Sequence, residues 1–435
     1  MKVTVADIVA WSGATLEAGR ESAVVEGATA DSRDITPGCL FVGVTGENVD
    51  GGLHAADAIS QGATAVIIGP EAWSEVGDDL ARSDAAVLLA ANPVEALGRI
   101  GRGALERLGA RVVGVTGSYG KTSTKDSVVA VLRAAGVRAE GTPGNRNTEV
   151  GVPLSIMGLP EDTEVAVIEM GMRGPGQIAQ LVALAPPDVA VITAIGPVHL
   201  ELLGTVEAIA AAKAEILGGL AEGGVAVVPE DDALLEPHVD ALPAGTAVVR
   251  FGEEPVIDLD LGDLKAWERR NMAAATAAAI ALGEPPAPGT AVRLERSAMR
   301  GIEHPLPGHG VLIEDCYNAN PPAMGAALAD LCAREGRHVA VIADMLELGP
   351  DEDRFHREVG EQAARLGVDL LVAVGARAAS YPEGAAGVES ITFASTDDAV
   401  AGVPGLIRPG DVVLVKGSRG MAMERVARAI MEREA

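Results

Sequence analysis

Short, almost uninterrupted runs of Val, Ile, Leu and Ala recur along the whole chain, each followed by a stretch of helical character. CLFVGV, ATAVIIG and AAVLLA come first. RVVGVTG, VAVIEMG, VAVITAI and GVAVVPE follow, then VLIEDCYN, HVAVIADM, DLLVAVGA and DVVLVKGS. A strand covered on one face alternates apolar and polar residues, whereas a strand covered on both faces need not. These runs do not alternate, so they predict parallel sheets sandwiched between helices in an α/β fold. A chain of 435 residues suits two to four domains. Three are expected, at 1–103, 104–288 and 289–435. The second opens with a strand at Arg111–Thr116 and carries helices in TVEAIAAAKAEILGGL and NMAAATAAAIALG. The Pro/Gly-rich GEPPAPGT (283–290) reads as the linker to the third.

The formal charge of −28 opposes binding to nucleic acid and to anionic lipid. Aromatic residues make up 2% of the chain, too few for base-stacking platforms. No stretch of 18 apolar residues spans a bilayer, and MKVTVADIVAW lacks the apolar core of a signal peptide. Cys39, Cys316 and Cys332 have no CxxC spacing, which fits a reducing cytoplasm and neither a disulfide scaffold nor a zinc site.

The strongest local motif is GVTGSYGKTSTKD (114–126), a strand running through a glycine-containing loop into a helix. Backbone N–H groups of such a loop and the helix N-terminus hold phosphate oxygens. Gly117, Ser118, Gly120, Lys121, Thr122 and Ser123 are the candidate contacts. Lys121 reaches the terminal phosphates, and the Thr122 hydroxyl suits Mg2+. The common P-loop pattern has glycine where this chain has Val115. Glu169 ends the strand VAVIE and His199 follows VAVITAI, so both fall at the carboxyl ends of strands, where parallel sheets bind ligands. His199 is either a metal ligand or a capping or core histidine. Lys213, alone in an Ala-rich helix, reads on its own as a solvated helix face.

Taken in order, the motifs resemble the Mur ligase family over nearly the whole chain. ADSRDITPGCLFVGVTGENVDGG (30–52) is similar to the family's uridine-nucleotide segment. GNRNTEVGVP (144–153), IEMGMRGPGQIAQL (168–181) and IGPVHLELLGTVEAIAAAKAEI (195–216) follow the phosphate loop. EDCYNANPPAM (314–324), ADMLELG (343–349), FHREVG (355–360) and KGSRGMAMERV (416–426) complete the series. The resemblance implies an N-terminal uridine-nucleotide domain, a central P-loop ATPase domain and a C-terminal Rossmann-like domain. It implies ATP and Mg2+ as cofactors, with Lys121, Lys213 and His199 catalytic. Thr122, Glu169, His199 and Lys213 would hold the metal, with Lys213 as a carbamate. Asn271, Arg300, Asp315 and Asn318 would contact ATP. Asp31, Ser32, Arg33, Asn145, Asn147, Asn320, Lys416, Ser418 and Arg419 would face the substrates. Through the combination of YNANP, DMLELG and KGSRGM, the resemblance implies addition of D-alanyl-D-alanine to a UDP-linked muramoyl tripeptide through an acyl phosphate. A cytoplasmic enzyme is expected, and a monomer, because a domain-closing architecture needs no partner.

The chain departs from the family pattern at Arg270 (usually His), Ala274 and Thr148 (each usually Asn) and Gly52 (usually His). Only residues 253–270 separate Gly252 from Asn271, where relatives usually carry extra strands. An amide ligase for a different carboxylate and amine therefore remains open. So do a non-catalytic nucleotide-binding regulator and a P-loop kinase or GTPase.

Overall fold

The computed structural model describes residues 1–46, 49–295 and 297–434. Glu47 and Asn48 of the 30–52 segment lie outside them. The expected apolar runs form the interior strands of three sheets. In the first, Thr15–Ala18, Ala86–Leu89, Ala65–Ile68, Leu40–Val42 and Ala28–Thr29 lie side by side, with only the Thr15–Ala18 edge antiparallel. The central sheet is parallel throughout, in the order Ala247–Phe251, Val225–Pro229, Val189–Ile192, Arg111–Thr116, Val165–Glu169 and Ala139–Gly141. The last sheet orders Ile302–Leu306, Gly310–Asp315, Asp411–Lys416, Arg337–Ala343, Leu370–Val374 and Glu389–Phe393, antiparallel only at its first pair.

Every residue of Val165–Glu169, Val189–Ile192, Leu370–Val374 and Asp411–Lys416 is buried, as strands covered on both faces must be. One face of the central sheet carries the helices Lys121–Ala134 and Ala266–Ala281, packed on Val113, Val167, Val191 and Val227. Alanine lines the second helix from Ala273 to Ala279, and its small side chain lets the two helices approach closely. The other face shares a continuous apolar core with the first domain, in which Ile8, Leu88, Leu97 and Ile100 meet Val152, Ile168 and Ile209.

Two expected boundaries fall inside connected structure. The helix Pro93–Leu108 runs across 103/104 and ends at the left-handed Gly109. Its amphipathic pattern continues past the expected break, and Gly101 abuts Pro153 of the central domain. Beyond 288, Ala291 bridges Asp260 and Val292 is buried in the central core; the last sheet begins at Ile302. The expected helix TVEAIAAAKAEILGGL is α-helical over Val206–Ala214 and then tightens into a 3-10 turn. There the Glu215 carboxylate turns aside to accept from Gly176 N (2.6 Å) and Ala179 N (3.0 Å).

The central and C-terminal domains also meet through charge. Lys265 pairs with Asp330 (2.9 Å) and Glu303 (3.3 Å), and Arg334 pairs with Glu303 (2.7 Å). Hydrogen bonding to the Arg334 guanidinium holds the Glu303 carboxyl down to about 2. A depressed carboxylate stabilises the fold above its ordinary value and loses that contribution as pH falls towards its native one. Acid should therefore loosen this junction between about pH 4.5 and 2, read as expansion by small-angle scattering, and Glu303→Gln should flatten that part of the profile.

Candidate active site

The strand Arg111–Thr116 delivers the chain to Gly117, whose φ is 145°. A Cβ there would meet Thr193 Oγ1 at 2.0 Å, so only glycine fits between the two strand ends. Thr193 Oγ1 donates to Tyr119 O (2.5 Å), and Ser118 N donates to Ala194 O (2.8 Å). Ser118 Oγ also accepts from Gly196 N (3.0 Å). The amide and hydroxyl of Ser118 thus brace the loop against residues 194–196. Gly120, at φ 79°, opens the helix Lys121–Ala134 and directs its first N–H groups outward.

Lys121 Nζ lies over this loop and donates to Gly117 O (2.8 Å). Thr122 Oγ1 donates to Glu169 Oε2 (2.7 Å). Asn147 Nδ2 donates to the other oxygen, Oε1 (2.7 Å), and Thr142 Oγ1 accepts from Glu169 N (3.1 Å). Glu169 is thereby fixed at the end of its strand, almost wholly buried. Lys125, which carried no expected role, anchors the same wall: its buried Nζ donates to Thr142 O (2.7 Å) and pairs with Asp126 (2.8 Å). Lys213 is not a solvated helix residue. It is 1% exposed, and among the described residues no carboxylate pairs with it. Burial, reinforced by the charge of Lys121, drives its pKa well below the usual lysine value. Burial also lowers Lys121, against the raising pull of Glu169.

Asn271 reaches the loop from the Ala-rich helix. Its Oδ1 accepts from Thr124 Oγ1 (3.2 Å) and lies 3.1 Å from the place of a Cβ on Gly120. Arg300 stacks on the Tyr317 ring at 3.9 Å, and its charge is felt at Lys121. Tyr317 in turn feels Glu169 and lies against Asn145. Ser123 lines a small recess with Asp126, Trp267, Glu268 and Arg300. His199 follows the strand Val189–Ile192 with φ 54°, and its Nδ1 lies 2.5 Å from Glu347 Oε2 of the C-terminal domain. It stands at the start of a four-residue helix but makes no side-chain cap.

The remaining expected residues occupy other places. Lys416 is 3% exposed and holds Asp315 (2.6 Å) and Asn318 O (2.9 Å), which merges two expected clusters into one. Asn320 caps the helix Pro321–Cys332 through Ala323 N (2.9 Å). Ser418 Oγ accepts from Leu346 N (2.9 Å), and Arg419 pairs with Glu424 (3.1 Å). Asp31 and Arg33 form an exposed bidentate pair within one turn, with the Asp31 carboxyl held to about 2 by hydrogen bonds from Arg33. Ser32 O accepts from Gln61 Nε2 (2.9 Å). Glu347 and Tyr317 were missed because their importance is a long-range contact. Their motifs were visible, but no local spacing marks the two residues.

No group of three His, Cys, Asp or Glu residues meets among the described residues. That is compatible with Mg2+, which takes one or two carboxylates plus substrate phosphates and keeps several waters. Thr122 Oγ1 and Glu169 Oε2 supply adjacent oxygen donors of the right kind.

Three α/β domains joined around a phosphate loop at a parallel sheet's carboxyl edge define a nucleotide-dependent enzyme. Three family domains match in order. These are the Mur ligase family catalytic domain at 24–104, the Mur ligase middle domain at 115–278 and the Mur ligase glutamate ligase domain at 302–419. UDP-N-acetylmuramoyl-tripeptide–D-alanyl-D-alanine ligase of Bacillus subtilis is 34% identical, covering 95% of this chain and 94% of that protein. The Escherichia coli ligase of the same name is 31% identical, covering 94% of each. A crystal structure of MurF from Acinetobacter baumannii aligns with TM-score 0.86, 27% identity and 99% of both chains covered. MurF of Thermotoga maritima in complex with ADP gives 0.79 and 29%, over 94% of this chain and 99% of that one. The chain belongs to the Mur ligase family, whose members are ATP-dependent, ADP-forming ligases.

Gly117→Ala should weaken ADP binding by about tenfold or more, because the new Cβ displaces Thr193 and with it the loop. Isothermal titration against wild type checks this, with a thermal melt to confirm folding.

Proposed function

We propose that this ligase joins D-alanyl-D-alanine to UDP-N-acetylmuramoyl-tripeptide in peptidoglycan precursor synthesis. The reading is carried by one cluster, in which Lys121, Thr122, Glu169 and Lys213 converge at the central strand ends. The near full-length likeness to ligases of that name supports it. A substrate carboxylate oxygen attacks the γ-phosphorus, the bond to ADP breaks, and an acyl phosphate forms. The amine of the dipeptide then attacks the acyl carbon, loses a proton and expels phosphate, leaving an amide.

Loop N–H groups and Lys121 offset charge on the transferring phosphoryl group. Thr122, Glu169 and His199 are the residues that would hold Mg2+, which supplies Lewis-acid stabilisation of the phosphate oxygens when bound. Lys213 suits carbamate formation: its amine is driven towards neutrality, and a neutral amine adds CO2 with loss of one proton. The anion so formed would offset the positive charge of Lys121. Asn271 and Arg300 border the nucleotide, and the Asp315–Lys416 pair with Asn318 borders it from the C-terminal domain. Asn145 and Asn147 lie beside Tyr317 and Glu169 and would face the acceptor. The Asp31–Ser32–Arg33 turn takes the uridine nucleotide. Asn320, Ser418 and Arg419, each also tied into its own domain, would serve the incoming dipeptide. No helix among the described residues is long and apolar enough to cross a membrane. We place the enzyme in the cytoplasm, as a monomer.

One observation favours a second reading, a ligase for a different carboxylate and amine. The central sheet ends at Ala247–Phe251, and residues 252–265 add no strand to it.

The deciding assay is phosphate release from ATP and Mg2+ with UDP-N-acetylmuramoyl-tripeptide, with and without D-alanyl-D-alanine, and product mass read in the same tube. Release that needs both substrates, with a product heavier by the dipeptide, is expected. ATP binding without that product supports the second reading. Lys121→Ala should lower turnover by about 100- to 1,000-fold, the scale of removing one preorganised contact to a developing charge.

A further inference from the structure

The loop Asp344–Gly349 is pinned by its own domain at three points. Met345 N donates to Nε2 of the buried His356 (3.0 Å), whose Nδ1 donates to Glu352 O (2.7 Å). Leu346 N donates to Ser418 Oγ (2.9 Å), and Asp344 Oδ1 accepts from Ala378 N (2.7 Å). Motifs distant in sequence thus converge on one short turn. Its next residue, Glu347, adopts φ 64° and places its carboxylate 2.5 Å from His199 Nδ1.

His199 belongs to the central domain and is itself left-handed, at φ 54°. Neither residue is glycine, so each conformation persists only because its surroundings hold it. The contact between them is flanked on both sides. Glu201 N approaches Glu347 O (3.4 Å), and Leu200 packs against the cores of both domains. On the other side His199 lies within the electrostatic reach of Lys213 and Lys121. The ring therefore stands between the phosphate loop and the C-terminal domain.

We propose that Glu347 is a positioning residue that fixes the orientation of His199 only when the C-terminal domain is seated on the central one. The proposal rests on the reading that His199 faces the metal–nucleotide site. By accepting from Nδ1–H, Glu347 sets the tautomer and leaves the Nε2 lone pair free. Histidines that face a metal commonly depend on such a carboxylate. Among the described residues, no other hydrogen bond fixes the His199 ring. Seating of the domain then completes the site, and nucleotide turnover follows closure.

The test compares Glu347→Ala, Glu347→Gln, Glu347→Asp, His199→Ala and the double variant Glu347→Ala/His199→Ala. Turnover is measured against ATP and against Mg2+, and scattering on protein free of metal and nucleotide. Glu347→Ala is expected to lower kcat by about 10- to 100-fold and to raise the Mg2+ needed for half-maximal rate. KM for ATP should stay within about threefold, and the metal-free protein should expand. Glu347→Gln keeps an accepting oxygen and should recover most of the rate. The double variant should be no worse than His199→Ala. Should Glu347→Ala fail to fold, Glu347→Asp decides, since it keeps the charge and shortens its reach: an intermediate loss supports the proposal and wild-type behaviour overturns it. Wild-type kcat and Mg2+ dependence in Glu347→Ala, with His199→Ala impaired, overturns the proposal and leaves the reading of His199 standing. A silent His199→Ala removes both.

Discussion

Burial of the central sheet on both faces is the constraint from which the rest follows. Apart from Arg111 at the entrance of the first, three of its inner strands offer no polar side chain to solvent, so chemistry is confined to their ends. Three neighbouring strands end within reach of one another. Arg111–Thr116 delivers the phosphate loop, Val165–Glu169 the carboxylate, and Val189–Ile192 the threonine that locks Gly117. Register does the positioning: Glu169 is level with Val115, and Ile192 with Thr116. Rigid strand ends hold reacting groups more closely than free loops can.

The electrostatics of the site run against those of the molecule. The chain carries −28, yet Lys121, Lys213 and Arg300 gather at the site, where the Glu169 carboxylate acts on both lysines and Glu215 on Lys213. Burial lowers both lysines because a charged amine loses hydration there. A polyanionic nucleotide reverses that penalty for Lys121. It does less for Lys213, which is only 1% exposed. One local field can thus favour a charged lysine at the phosphates and an uncharged one behind it.

Much of this was legible in the sequence, for identifiable reasons. Inner strands were found because double-sided burial writes itself as unbroken Val/Ile runs. Edge strands such as Ala247–Phe251, Ile302–Leu306 and Glu389–Phe393 were missed because one side of each is open and its residues are mixed. The phosphate loop was legible because its groups are local. The burial of Lys213 was not: read by itself the Ala-rich helix made it a surface residue, and only the resemblance gave it a role at the metal. Asn320 and Ser418 carry structural hydrogen bonds that a motif cannot distinguish from ligand contacts. The left-handed backbone of His199 and Glu347 is set by packing between domains, and no residue type announces it.

The short 253–270 segment shows why the site tolerates loss at the sheet edge. Arg270 pairs with Asp231 (2.7 Å) and with Glu253, and its guanidinium lies 5.9 Å above the Phe251 ring. Asp231 and Glu253 follow the last two strands, so Arg270 binds the start of the helix to the sheet's outer carboxyl edge. Asn271, the next residue, is thereby held against Gly120 and Thr124. A longer insertion could brace the helix through added strands; here one guanidinium, shared between two carboxylates and an aromatic face, braces it directly. The reacting groups sit at the ends of the central strands, two to four ladders away from the shortened edge. Trimming that edge therefore changes what surrounds the substrate while leaving the geometry of phosphoryl transfer in place.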